Sequence, residues 1–462
     1  MAYVSMFCLN GTSEKKENEK RAAIDRLVRL VFCMSLTIFA LSHADSDSLR
    51  IHEVDAPKDV LIPDSMTSVD SLEKAVADST TAKNTLFGEN QICTDSVGDD
   101  SKRIQGNSER KNENPYGIPD ALMPLWESMS LKQKAAQMVM VYMSPESFML
   151  KHEFGGTLVM KSHLKDPVKF RESINSINSS LKIPLFVAID QEGGRVNRVS
   201  SISYKFKNTP SAREMREMPV EEIEKTAKEI ADSMHAYGIN MNLAPVLDPS
   251  IDSRGKKSFM EESARSWGVD TSNADKIRAF VRGMKNSGII CVSKHFPGYD
   301  SWTNSDHQIA VSATPKKKIK ENIRLFKALS DEIPATMMSS VRFVRVSNRP
   351  AVFEKQIVKR ARNLSPDMLI ITDDLWGASL RAFVSGTERI KGKNYPARDF
   401  RKLIRIALES GNDMFMTTYP AKAVEMIKYL ERLGKSNESY RKRIEESAAR
   451  ILKLKFKTHI IR

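Results

Sequence analysis

Charged and imidazole side chains follow several short apolar runs, where they could act together on a polar substrate. These residues are Asp190, Asp248, the Lys294-His295 pair and the Asp373-Asp374 pair. A single Asp in such a position commonly caps the next helix, but four polar ends on one rim would bury charge at a cost unless the groups are paired or used. Carboxylates from different strands, surrounded by Arg and Lys donors, are the groups that glycoside hydrolysis requires.

Other chemistries have weaker support. Metal-dependent hydrolysis would need closely spaced ligands such as HxH or HExxH, and neither pattern occurs. Gly193-Gly194 lacks the frame of a phosphate-binding loop. The cysteines form no CxxC pair, so neither a zinc site nor a disulfide framework is indicated. We predict no metal and no cofactor.

The chain carries a formal net charge of +14, which could indicate a nucleic-acid or membrane partner. Its basic residues are scattered through helix-like stretches, and no zinc-finger, RNP-type or helix-turn-helix signature accompanies them. Solvated helix faces explain this charge best, so we predict no nucleic-acid partner.

Eight β-rich runs alternate with amphipathic helical segments from about Tyr116 onward. The runs cover residues 138–143, 156–160, 184–190, 240–248, 288–296, 335–341, 367–374 and 413–419. Apolar strands separated by helices indicate a parallel sheet covered on both faces, and eight units of this size predict a (β/α)₈ barrel over 116–462. A doubly wound open sheet is the alternative, weakened by the absence of GxGxxG after the first strand. In a barrel, the catalytic residues lie at the carboxyl ends of the strands.

The first 115 residues have a different composition. Basic residues precede a short apolar run at 30–41, followed by Ser42-His43-Ala44, a pattern typical of a signal peptide or membrane anchor over 1–44. Residues 45–115 are acidic and polar without sustained periodicity, which predicts a flexible linker. We therefore expect an exported or membrane-anchored protein, in which residues 30–41 could form the membrane tether. A cytoplasmic protein is the alternative.

Five ordered blocks resemble glycoside hydrolase family 3, and more narrowly its bacterial β-N-acetylhexosaminidases that trim N-acetylglucosamine from peptidoglycan fragments. The blocks are "AIDQEGGRVNRV", "NLAPVLD", "ARSWGVD", "KHFPG" and "ITDDLWGAS". The resemblance runs from about Leu131 to about Tyr419. It implies a retaining glycosidase that acts as a monomer on a carbohydrate substrate and removes terminal β-linked N-acetylglucosamine, without a cofactor.

The resemblance also implies roles for individual residues. Asp373 aligns with the nucleophile that forms the covalent glycosyl-enzyme, and His307 with the acid/base. The remaining positions are expected to bind the sugar or support the site: Asp190, Arg198, Arg265, Lys294, His295 and Asp248. Asp248 is expected to orient Lys294 or an arginine. Glu192 is expected to pair internally rather than act on substrate.

One motif departs from the family pattern. Relatives have Asp-Ser-His, whereas this chain has Ser305-Asp306-His307, and the upstream "GHG" has become Gly298-Tyr299-Asp300. Neighbouring side chains in an extended segment point to opposite sides, so Asp306 needs a bent loop to orient His307, or Asp300 must substitute. Three functions therefore stay open: an active hexosaminidase, a catalytically impaired sugar-binding protein, and a scaffold or adhesive protein.

Overall fold

The computed structural model describes residues 114–388, 390 and 395–461. Within these residues, eight short strands form one parallel sheet whose side chains are almost all buried. In chain order they are β1 (Val139–Tyr142), β2 (Gly156–Val159), β3 (Phe186–Ile189), β4 (Met241–Asn242), β5 (Ile290–Phe296), β6 (Ala335–Met338), β7 (Leu369–Ile371) and β8 (Phe415–Thr417). Each strand lies inside one of the eight runs predicted from the sequence.

The sheet closes on itself. Strand β1 pairs in parallel with β2 on one side and with β8 on the other. A parallel bridge between Ile371 and Met414 joins β7 to the start of β8 and completes the ring. The (β/α)₈ barrel is therefore confirmed, and the doubly wound open sheet is wrong.

Helices surround the barrel and bury their apolar faces against it. They are α1 (Met123–Ser128), α2 (Leu131–Gln137), α3 (Glu146–His152), α4 (Pro167–Ser180), α5 (Ala212–Met215), α6 (Val220–Ala236), α7 (Phe259–Glu262), α8 (Ala274–Asn286), α9 (Lys316–Ala328), α10 (Lys355–Arg362), α11 (Ala378–Ser385), α12 (Ala397–Ser410), α13 (Pro420–Ser436) and α14 (Glu438–Lys457). Short 3₁₀ turns cover Asp120–Leu122, Lys161–Leu164, Val199–Ser201, Tyr204–Phe206, Thr271–Asn273 and Ala351–Phe353. None of the helices within the described residues has the length and apolar character to cross a bilayer.

A second, smaller ribbon lies among the loops that follow the strands. Val311–Ser312 pairs in parallel with Arg342–Phe343. The first segment belongs to the connection after β5 and the second to the connection after β6. The ribbon therefore fixes two neighbouring loops at the rim where the carboxyl ends of the strands open.

A buried ion cluster ties the opposite end of the barrel together. Asp413, two residues before β8, is fully buried and pairs with Arg362 of α10 and with Arg443 and Arg450 of α14. Burial alone would raise the pKa of this carboxyl, but the three guanidinium groups lower it to about 2. The cluster thus fastens the last helix to the last strand.

The predicted leader (1–44) and linker lie outside the described residues, apart from Asn114 and Pro115 at the end of the linker. The apolar run at 30–41 is among the segments not described. The domain boundaries at 44 and 115, the tether and the export of the protein stay predictions.

Candidate active site

Four charged side chains form a compact cluster at the carboxyl ends of β3 and β5. Lys294 Nζ lies 2.7 Å from Asp190 Oδ1 and 2.7 Å from Glu192 Oε1. Arg265 binds Glu192 through two hydrogen bonds, Nε to Oε2 at 2.7 Å and Nη2 to Oε1 at 2.9 Å. The structure thus brings Asp190, Lys294 and Arg265 together, and Glu192 pairs internally as the sequence predicts.

Electrostatics keep this cluster ionised despite its burial. Burial alone would raise the pKa of Glu192, but Arg265 and Lys294 hold it well below its usual range. Burial likewise opposes the charge of Lys294, and attraction to Asp190 and Glu192 raises its pKa. Asp190 and Arg265 are the members that stay partly open, with 22% and 19% of their side chains exposed. A ligand hydroxyl can therefore reach Asp190, while Glu192 serves to hold the two cations in place.

Asp248 and His295 form a second unit beside the cluster. Asp248 Oδ2 lies 2.7 Å from His295 Nδ1, and Oδ1 accepts hydrogen bonds from the backbone N–H groups of His295 at 2.8 Å and Tyr299 at 2.7 Å. Within the described residues no hydrogen bond or ion pair joins the Asp248 carboxylate to Lys294 or an arginine, so it does not orient them by direct contact, although its charge helps to raise the pKa of Arg265. The partners of Asp248 are the imidazole of His295 and the backbone N–H groups of His295 and Tyr299.

The two aspartates after β7 have different environments. Asp373 is half-buried, and its carboxylate accepts hydrogen bonds from Ser340 Oγ at 3.1 Å and from the backbone N–H of Asp374 at 2.7 Å. Asp374 accepts from Thr418 Oγ1 at 2.6 Å and from the backbone N–H of Trp376 at 2.9 Å. Burial raises the pKa of Asp374 to about 6, although these hydrogen bonds oppose the shift. Asp374 therefore supports the turn into α11, while Asp373 keeps an accessible carboxylate.

The loop that carries His307 is anchored by Tyr299. The buried Tyr299 hydroxyl donates to the backbone carbonyl of Thr303 and accepts from the backbone N–H of Ser305 at 2.7 Å. Beyond this anchor, Asp306 and His307 are both exposed, and within the described residues no hydrogen bond or ion pair joins their side chains. The structure therefore fixes the base of the loop and leaves its tip open.

Asp300 does not replace the carboxylate that relatives place two residues before the histidine. It is buried, its Oδ2 accepts from the Thr314 hydroxyl, and its Oδ1 has no hydrogen-bond partner among the described residues. Burial raises its pKa to about 6. The carboxyl thus faces the loop end at Thr314 and makes no contact with His307.

Arg198 is the predicted sugar-binding residue that the structure leaves outside these contacts. Its side chain is half-buried, and its Nε is buried without a hydrogen-bond partner in the described part of the chain. Within residues 114–388, 390 and 395–461, no group of three or more His, Cys, Asp or Glu side chains could hold a metal ion.

Two supporting residues escaped the sequence reasoning. Ser340 binds Asp373, and its signal was its place at the carboxyl end of the predicted run 335–341. Tyr299 anchors the His307 loop, and its signal was the replacement of the family's "GHG" histidine by a tyrosine. Both side chains are neutral, whereas the sequence prediction considered charged and imidazole side chains at strand ends.

A parallel barrel with paired carboxylates and cations at the carboxyl ends of its strands has the architecture of a barrel enzyme with its active site at this rim. Residues 130–454 match the Glycosyl hydrolase family 3 N terminal domain, which spans most of the described part of the chain. The chain belongs to glycosyl hydrolase family 3 and is a glycosidase.

Curated relatives and solved structures agree with this assignment. The chain is 29% identical to a beta-hexosaminidase of Pseudomonas aeruginosa over 250 residues, which cover 52% of this chain and 73% of the relative. It is 27% identical to a beta-hexosaminidase of Methylobacillus flagellatus over 235 residues, covering 48% of this chain and 65% of the relative. The crystal structure of a beta-N-acetylhexosaminidase from Beutenbergia cavernae superposes with a TM-score of 0.59 at 23% identity, covering 71% of this chain and 98% of that one. The structure of a glycoside hydrolase family 3 beta-N-acetylglucosaminidase from Paenibacillus sp. superposes with a TM-score of 0.60 at 23% identity, covering 72% of this chain and 63% of that one.

Proposed function

We propose that this family 3 glycosidase removes terminal β-linked N-acetylglucosamine from glycans with retention of configuration. Asp373 is the nucleophile and His307 the acid/base. The substrate class comes from the curated relatives, which are beta-hexosaminidases. We further propose that the glycan is a peptidoglycan fragment, in which N-acetylglucosamine precedes a muramic acid residue.

The observation that carries the proposal is the environment of Asp373. Its carboxylate has hydrogen bonds from Ser340 Oγ and the Asp374 N–H, yet no paired cation within the described residues. An ion pair would lower the nucleophilicity of a carboxylate, whereas two neutral donors orient it. Asp373 therefore has the features of an attacking group, in contrast to Glu192, which two cations neutralise.

The charged cluster supplies the grip on the sugar. Asp190 is partly exposed and can accept hydrogen bonds from ring hydroxyls, and Lys294 beside it can donate them. His295 has its Nδ1 committed to Asp248, so Nε2 is the nitrogen left for substrate. These groups would bind the terminal ring, and Asp373 would attack from the neighbouring strand end.

The reaction then proceeds in two displacements. An oxygen of Asp373 bonds to the anomeric carbon as the glycosidic C–O bond breaks, and protonated His307 gives its proton to the departing oxygen. Neutral His307 next takes a proton from water, whose oxygen displaces Asp373 and releases the sugar. An imidazole can both give and take a proton close to neutral pH, so one side chain can serve both steps.

A sugar-binding protein with impaired turnover is the second candidate. It is favoured by one observation: Asp306 and His307 are exposed and share no hydrogen bond in the described residues. A histidine without an orienting carboxylate can lose about 10⁴-fold in rate while its site still binds substrate.

Two substrates separate these candidates. An aryl N-acetyl-β-glucosaminide with a good leaving group needs no acid in the first displacement, so we expect a burst of released aryl alcohol that is lost in Asp373→Ala and retained in His307→Ala, where hydrolysis of the glycosyl-enzyme is slowed because the base is missing. The disaccharide of N-acetylglucosamine and muramic acid needs the acid, so we expect His307→Ala to abolish its hydrolysis. Binding of both substrates without turnover of either would establish the sugar-binding protein, and full activity of Asp373→Ala would refute the assignment of the nucleophile.

We also propose export or membrane anchoring, on the strength of the basic segment and apolar run that end at Leu41. Cell fractionation, with N-terminal sequencing of the mature protein, tests this proposal. A protein found in the cytoplasm with an intact N-terminus would contradict it.

A further inference from the structure

A few large hydrophobic side chains remain exposed in the described part of the chain. Among the described residues they are Val168, Tyr204, Ile251, Trp302, Val311 and Val344. All six belong to segments that follow a barrel strand: Val168 and Tyr204 lie in helical turns after β2 and β3, Ile251 and Trp302 in the loops after β4 and β5, and Val311 and Val344 in or beside the ribbon. The loop after β5, which carries His307, contributes Trp302 and Val311.

Trp302 is the largest of these side chains, and it is held in place. It is 56% exposed, and the guanidinium of Arg254 lies over its ring at 4.9 Å from the centroid. Arg254 is itself fixed by Asp252, with Nε–Oδ2 at 2.9 Å and a backbone N–H to Oδ1 contact at 2.8 Å. A cation fixed over an indole orients the ring at little entropic cost. The loop after β4 thus positions a side chain on the loop after β5.

The backbone on both sides of Trp302 is also fixed. The carbonyl of Ser301 accepts a hydrogen bond from the N–H of Phe259 at 3.0 Å. The carbonyl of Thr303 accepts from the Tyr299 hydroxyl. An exposed indole whose two neighbours are both hydrogen-bonded presents a preorganised surface, and preorganisation reduces the entropy lost on binding.

Burial does not explain this arrangement. Asp252 already pairs with Arg254, so the guanidinium needs no aromatic partner to be neutralised. A ring that keeps more than half its surface in water gains little hydrophobic stabilisation from its position. An oriented, solvent-facing aromatic ring is suited to stacking on a ligand ring.

We infer that Trp302, oriented by Arg254, is a stacking platform for the sugar ring on the leaving-group side of the scissile bond. The inference rests on the proposed function, in which His307 protonates the departing oxygen. A proton donor lies close to the group it protonates, and Trp302 is five positions before His307 on the same anchored loop. The terminal ring occupies the charged cluster at the strand ends, so the next pyranose ring meets the loop of Trp302.

Calorimetric binding to the full chain tests this platform. The parent protein carries Asp373→Asn to prevent turnover, and the probes are N-acetylglucosamine and N,N′-diacetylchitobiose. Trp302→Ala should weaken binding of the disaccharide by about tenfold, a factor within the ordinary range of aromatic stacking, and change binding of the monosaccharide by less than twofold. Trp302→Phe should keep most of the disaccharide affinity.

Tyr204 provides a matched control. It is 78% exposed and lies under Lys207, whose Nζ is 4.9 Å from the ring centroid, but it belongs to the loop after β3. Tyr204→Ala should leave both affinities unchanged.

Two results would overturn the platform while leaving the proposed function intact. One is a disaccharide affinity that is the same in Trp302→Ala as in the parent. The other is an equal loss for both sugars, which would place Trp302 at the terminal ring. A parent protein that binds neither sugar would refute the proposed function and the platform together.

Discussion

Both carboxylate oxygens of Asp248 hold His295, one through the imidazole Nδ1 at 2.7 Å and the other through the backbone N–H at 2.8 Å. A single buried side chain therefore fixes the backbone, the ring orientation and the tautomer of the histidine. The same oxygen that binds the backbone of His295 also binds the N–H of Tyr299. The sugar grip and the base of the His307 loop are thus positioned by one residue.

Asp248→Asn should weaken binding of N-acetylglucosamine. The Asn side chain has only one oxygen that can accept hydrogen bonds, and its NH₂ group would face an N–H donor. His295 therefore loses its fixed orientation. Hydrogen bonds to a charged group contribute about 1.5–3 kcal/mol, which corresponds to about 10- to 100-fold in affinity. Calorimetry on the folded variant measures this change. An unchanged affinity in Asp248→Asn, together with a large loss in His295→Ala, would show that His295 binds sugar without its partner.

Glu192→Gln should destabilise the fold. The substitution removes the carboxylate that pairs directly with both Arg265 and Lys294, and removal of one partner from a buried charge cluster costs about 3–5 kcal/mol. Urea unfolding measures the free energy. Glu229→Gln is the control, because its ion pair with Lys205 is exposed and such pairs contribute about 0–1 kcal/mol. Equal losses in both variants would contradict the assigned importance of Glu192.

Tyr299→Phe should loosen the His307 loop without unfolding the barrel. The variant keeps the buried ring and removes the hydroxyl that joins Thr303 and Ser305. A buried N–H left unpaired costs about 1–3 kcal/mol. Hydrogen exchange of the amide of Ser305 should accelerate, and hydrolysis of the disaccharide should slow more than that of the aryl glycoside. Unaltered exchange at Ser305 would show that the loop has another anchor.

Asp300→Asn should raise stability at pH 7 and flatten its pH dependence. The pKa of Asp300 is about 6 in the folded protein, whereas an unperturbed aspartate has a pKa of about 3.9, so the folded state binds more protons than the unfolded chain between these values. Stability therefore falls as the pH rises from about 4 to 6, by up to about 3 kcal/mol for this carboxyl.

Asp374 has a similarly raised pKa, so the slope in Asp300→Asn should be reduced rather than abolished. Urea unfolding at several pH values follows the effect. A slope that matches the unmutated protein would mean that Asp300 ionises freely in the fold.

Periodicity and strand-end chemistry were sufficient to predict the barrel. Each of the eight apolar runs contains a strand, because a strand buried on both faces needs a continuous apolar sequence. Asp190 and Lys294 could be grouped because the carboxyl ends of parallel strands meet at one rim. Arg265 lies far from a strand end, and only the family resemblance indicated that it belongs to the site.

The hydrogen-bond partners of the site residues could not be predicted from periodicity or strand-end residues. Asp248 turned out to bind His295 rather than Lys294, because the pairing depends on how far β4 and β5 are offset. Tyr299 anchors a loop through backbone groups of Thr303 and Ser305, and main-chain partners leave no trace in residue types. Sequence patterns specify which elements form, whereas contacts across loops depend on register and backbone direction.

The ion cluster around Asp413 has a consequence for folding during synthesis of the chain. Two of its three arginines, Arg443 and Arg450, belong to α14, which leaves the ribosome after the strands of the barrel. Until α14 docks, the carboxylate beside β8 has Arg362 as its one cationic partner from this cluster. A chain shortened before Arg443 would have to close its barrel around an under-neutralised buried charge. The nascent protein is therefore expected to seal its final strand as one of the last events of synthesis.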